Sequence, residues 1–127
     1  MCVFLSYDLR DAEAATALRA RLAREGLTVR DGGADPTWAL PVEERLRGTD
    51  ALVVLISANS SDSVSVSRDL DYVLTTKRFK DRLIPVLLDG TRDYPWILDE
   101  MSPVSAAASL DEVAETVAQR LGRVPAA

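Results

Sequence analysis

Histidine is absent from the 127 residues, and that single absence removes whole classes of chemistry. Serine and cysteine triads both need an imidazole to move the proton, and histidine-based zinc sites need one as ligand. Any acid–base work here would fall to carboxylates, lysine or tyrosine. Cysteine is nearly absent too: Cys2 stands alone, so no intramolecular disulfide can form, which fits a reducing compartment. As a small apolar residue entering a first strand, Cys2 reads as packing and not as a nucleophile. Lysine is confined to Lys77 and Lys80, while arginine is plentiful, a composition of the kind that follows a GC-rich bacterial genome. No apolar run approaches the roughly 18 residues of a membrane span, and no charged-then-apolar leader is present, so the expectation is a cytoplasmic protein. The net charge of −5 argues against a nucleic-acid partner, because phosphate affinity needs clustered Lys and Arg in surplus.

What is there is ordinary for one globular domain: 47% apolar and 28% charged residues, in a chain long enough to bury a core without metal or disulfide. Apolar periodicity alternates between short runs and helical spacing. Strands are predicted at Cys2–Leu5, Leu27–Arg30, Ala51–Ile56, Leu83–Leu88 and near Val104. Pro85, lacking a backbone donor, predicts an irregular fourth strand or one near an edge. Helices are predicted from Asp11 to Glu25, capped by Asp11 and stopped by Gly26; from Val42 to Arg47; from about Val66 to Phe79; and after the capping box Ser109-Leu-Asp-Glu112. Ala51–Ile56 is almost wholly apolar, as in a central parallel strand covered on both faces. The alternation implies an α/β, flavodoxin-like three-layer sandwich: a five-stranded parallel sheet with helices on both faces. The domain is expected over residues 1–123, with 124–127 a tail, either a true end or a cut before another domain.

Function in such a sheet concentrates where a strand's carboxyl end meets a helix. The phosphate-binding patterns GxxxxGK[ST] and GxGxxG are missing. A phospho-acceptor receiver is excluded as well, since the third strand ends in Ile56-Ser57 instead of aspartate and no lysine follows residue 80.

Four motifs arrive in order. They are Val3-Phe-Leu-Ser-Tyr7 followed by Asp11; Val29-Arg-Asp31 with Trp38 and a short helix; Leu55-Ile-Ser-Ala-Asn-Ser60; and Ile84-Pro-Val86. Together they resemble the TIR (Toll/interleukin-1 receptor) domain, bacterial type, over nearly the whole chain. The resemblance implies two kinds of function. One is signalling by self-association with other TIR domains, or with itself as a homo-oligomer or filament, through the loop containing Pro36 and Trp38. The other is cleavage of NAD+ at the nicotinamide–ribose bond, often within bacterial antiphage innate immunity. NAD+ would be the substrate, with no separate cofactor and no metal.

Cleaving members carry a pattern like S-x-W-x-x-x-E on the helix after strand three. In this chain the serine is Ser63, the tryptophan position is Ser65 and the glutamate position is Asp69. The resemblance therefore makes Asp69 the catalytic carboxylate and Ser6, Tyr7, Asp8, Trp38, Ser63 and Ser65 the substrate-binding set. A lone acid suits the reaction, because ribose-bound nicotinamide is already a cationic leaving group and the site mainly has to stabilise an oxocarbenium-like transition state. Asp in place of Glu sets that carboxylate about one bond, roughly 1.5 Å, nearer the backbone, where about 1 Å can cost on the order of 100-fold in rate. Other roles remain open for these residues. Asp69 also suits the first turn of a helix, Ser63 and Ser65 suit helix starts, and Trp38 could stack on a base, anchor a partner or fold back on the sheet. The alternative reading is a catalytically silent TIR adaptor.

Overall fold

The computed structural model describes residues 1–31, 41–106 and 109–122. Pro36 and Trp38, and the expected tail 124–127, lie outside the described residues. Five strands, β1 (Cys2–Ser6), β2 (Thr28–Asp31), β3 (Ala51–Ile56), β4 (Leu83–Leu87) and β5 (Val104–Ser105), form one all-parallel sheet in the order β2-β1-β3-β4-β5. Among the described residues four α-helices connect or follow them: α1 (Ala12–Arg24), α2 (Val42–Arg45), α3 (Val64–Leu74) and α4 (Leu110–Gly122).

Strand alternation divides the core into two layers. Val3, Leu5, Val53, Leu55 and Val86 face α1 and α4, meeting Leu18, Leu22, Val113, Val117 and Leu121. Phe4, Leu52, Val54 and Ile56 face the other way, against Leu46 beside α2 and Val66, Leu70 and Val73 of α3. Every residue of β3 is buried, as its unbroken apolar run requires of a strand covered on both sides. At about 1.5–3 kcal/mol for each large side chain removed from water, these layers dominate the stabilisation.

The helix boundaries follow local chemistry. α1 ends in a Schellman motif: Leu27 N–H donates to Leu22 O and Gly26 N–H to Ala23 O, with Gly26 at φ 88°. Its start differs from expectation. A short 3₁₀ turn, Leu9–Asp11, precedes it, capped by Asp8, whose carboxylate accepts from Arg10 N–H; Asp11 makes no cap. α3 begins at Val64, two residues early, because Ser63 Oγ accepts from Val66 N–H. It stops at Leu74, short of Phe79, where the hydroxyls of Thr75 and Thr76 turn back to the Tyr72 carbonyl. Phe79 sits instead in a separate 3₁₀ turn, Lys77–Phe79. Ser109 caps α4 as its sequence predicts, accepting from Glu112 N–H at 3.1 Å.

β4 lies one strand in from the edge, near it as Pro85 suggests, and Pro85 pairs in register with Val54. The bonds Leu52 N–H to Arg82 O and Leu88 N–H to Ile56 O turn the even-numbered residues of β4 toward β3. The missing Pro85 donor therefore points the other way, where β5 pairs only from Val86 onward.

Candidate functional site

Ser6 ends β1 on the Phe4 side of the sheet, and this period-2 placement aims its hydroxyl at α3. There Asp69 follows Val66 and precedes Leu70 and Val73 on the inward face of the helix, only 2% exposed. Ser6 Oγ donates to Asp69 Oδ2 at 2.8 Å. The other carboxylate oxygen, Oδ1, accepts from Arg45 Nη2 at 2.6 Å. Arg45 comes from α2, is itself buried, and lies with its guanidinium 5.9 Å from the centre of the Phe4 ring. Among the described residues its buried Nε has no hydrogen-bond partner. Three elements thus converge on one carboxylate whose two oxygens are both engaged from within the chain.

Burial pushes the Asp69 carboxyl above its ordinary range, against the opposing pull of Ser6 and Arg45. Removing two charges from water is costly, and the short contact to Arg45 offsets that cost only while both partners are present.

A second polar cluster lies where β1 and β3 end. Arg10 clasps Asp8 through Nε at 2.7 Å and reaches Asp62 at 2.6 Å and the Asn59 carbonyl at 2.8 Å. Hydrogen bonding from Arg10, assisted by Ser63, holds the Asp8 carboxyl down at about 2. Asp11, free of capping duty, instead accepts from Ser57 Oγ at 2.5 Å and from Asn59 Nδ2 at 2.9 Å. The Ser57–Asn59 loop is thereby tied to the start of α1.

Of the expected substrate-binding residues, Ser6 touches Asp69, and Asp8 and Ser63 meet in the neighbouring cluster. Tyr7 is buried in the layer facing α1 and α4, on the opposite side of the sheet from Asp69. Ser65 is exposed one turn before Asp69 and takes no part in the buried network. Trp38 falls outside the described residues. A cavity of about 260 Å³ between α3 and the segment Asp93–Pro95 is not lined by Asp69. Arg45 is the functional-site residue that the pattern reading passed over. Its signal was available, since Val42, Arg45 and Leu46 share the inward face of a helix and an arginine there needs a buried partner. Among the described residues, no group of three or more His, Cys, Asp or Glu side chains could hold a metal, and no helix is long and apolar enough to cross a membrane.

No curated protein matches the chain. Among solved structures it is similar to the TIR domain of the Toll-related receptor TRR-2 from the lower metazoan Hydra magnipapillata, with a TM-score of 0.73, 19% identity, and coverage of 95% of this chain and 94% of that one. The likeness supports the fold. The TIR domain family model matches residues 3–122, nearly the entire chain, and with the parallel five-stranded sheet already described it follows that this protein belongs to the TIR domain family.

Proposed function

We propose that this domain acts through association with other TIR domains, and that in the unassembled chain Asp69 is a structural carboxylate and not a catalytic one. The observation that carries the second half is the Arg45–Asp69 contact at 2.6 Å, with both side chains buried. An acid that assists NAD+ cleavage must offer negative charge to a developing ribosyl cation. Here that charge is already met by a guanidinium, and a fixed cation beside the reaction centre opposes a second one. The association half is supported by family membership and by Trp96, 74% exposed at the start of the 3₁₀ turn Trp96–Met101. Exposed aromatics of this kind serve as anchors at protein interfaces.

A second reading, NAD+ cleavage, is favoured by one observation: Ser6 and Asp69, named for that role by the family pattern, do touch. On this reading, assembly would have to draw Arg45 off Asp69 and open the carboxylate to the ribose.

Sedimentation velocity across a concentration series tests the association. The expected result is a rising weight-average coefficient that Trp96→Ala or Trp38→Ala reduces. A single monomeric species at every concentration, with and without NAD+, would remove the association proposal.

A further inference from the structure

Lys77 and Lys80, the only lysines of the chain, both border a cavity of about 690 Å³ at the amino-terminal end of β4. Ser6 and Asp69, by contrast, meet at the carboxyl end of β1. The volume lies within the roughly 300–1,000 Å³ typical of small-molecule sites. Val73, Phe79, Leu83 and Ile84 supply an apolar lining.

Charge at the cavity is opposite in sign to the net charge of the chain. Among the described residues neither lysine ammonium has a partner, and Arg120, the third cation there, makes only a 3.4 Å bond to the Met101 carbonyl. Asp81 and Glu100 also line it. Three cations against two carboxylates leave one positive charge in excess, on a chain whose net charge is −5.

Backbone conformation singles out the same place independently. Among the described residues, Asp81 at φ 63° and Ser102 at φ 52° are the only non-glycine residues with positive φ, and both border this cavity. Asp81 is the third residue of a turn closed by Arg82 N–H donating to Phe79 O at 2.9 Å, with Lys80 at φ −58° and ψ 129°. Those angles define a type II turn, whose third position suits glycine. Strain of this kind persists where a site holds it in place, and here the turn sets Lys80 at the cavity edge.

We infer that this cavity binds a small monoanion with an apolar body, the simplest example being a medium-chain carboxylate. Its tail lies against Leu74 and Met101, the accessible apolar side chains of the lining, over the buried Phe79 and Leu83, and its carboxylate lies between Lys77 and Lys80. A single excess positive charge suits a monoanion and disfavours a diphosphate. The site lies at the amino-terminal end of the strands, away from Asp69 at the carboxyl end of β1, and stands independently of the function proposed above.

The test is a titration of the full chain, followed by amide NMR, with octanoate, octanol and octylammonium, which share a tail and differ in charge. Octanoate should give saturable shifts confined to residues 73–84, 100–102 and 120, with octanol about tenfold weaker and octylammonium inert. Lys77→Gln/Lys80→Gln alters two exposed side chains, so its spectrum should otherwise match the wild type while octanoate affinity falls about tenfold. Shifts that never saturate, shifts centred elsewhere, equal binding of octylammonium, or unchanged affinity in the double variant would each overturn the assignment. So would the same shifts arising from protein concentration alone, which would make a second copy the occupant.

Discussion

Arg45 Nη2 and Asp69 Oδ1 stand 2.6 Å apart, joining α2 to α3 beneath a surface that admits almost no solvent to either side chain. Removing one partner leaves the other buried and uncompensated. Asp69→Leu and Arg45→Met should each lower the unfolding free energy by about 3–5 kcal/mol, measured by urea denaturation. The double variant Arg45→Met/Asp69→Leu should be more stable than either single variant, since no orphan charge remains. Additive losses in the double variant would show that the two residues do not act as a pair.

Acid titration should separate the two carboxylate environments. Asp8 is held at about 2 against 3.8 for the free side chain, so its folded form favours the ionised state. That contribution is present above pH 3.8 and lost as pH falls through about 2. Asp69 is shifted the other way, above 3.8. The folded state therefore holds its proton more tightly than the unfolded one, and its contribution is present below pH 3.8 and lost as pH rises through the folded value. Carboxyl carbon NMR should show the Asp8 midpoint below, and the Asp69 midpoint above, that of an exposed aspartate. A reversed order would contradict the electrostatic description of both clusters.

The turn Phe79–Arg82 yields a prediction of opposite sign to most substitutions. Asp81→Gly relieves a left-handed aspartate at φ 63° and should raise stability by about 1 kcal/mol, seen as a higher urea midpoint at unchanged slope. If the variant is less stable than wild type, the strain assigned to this turn is absent.

Gly26 poses the converse case. At φ 88° it closes the Schellman motif of α1 with open space around the position, so Gly26→Ala meets no steric clash and its cost is purely conformational. That cost should be about 1 kcal/mol, read from the same denaturation curves.

Much of this was legible in the residues themselves. The apolar run Ala51–Ile56 read as a strand covered on both sides, and Gly26 and Ser109 mark helix ends through backbone chemistry that depends on no distant contact. Asp11 was less readable, because its carboxylate is claimed by Ser57 and Asn59, more than forty residues away. Pro85 suggested an irregular strand or one near an edge, and β4 does neighbour the edge strand; the direction of the missing donor, and hence its tolerance there, depends on the register of β4 and on how late β5 begins. Local pattern placed Asp69 on α3 as a carboxylate near a helix start. Its partners come from β1 and α2, and whether a carboxylate is open or neutralised is decided by which side chains the fold brings to it.

The most direct test of the central claim, that in the unassembled chain Asp69 is neutralised by Arg45 and not offered to a substrate, is nicotinamide release from NAD+ by wild-type protein kept at a concentration where sedimentation shows only monomer, beside a folded Asp69→Asn variant. No release above the buffer rate is expected from either. Release by the wild type that Asp69→Asn abolishes would contradict that claim and assign the carboxylate to catalysis.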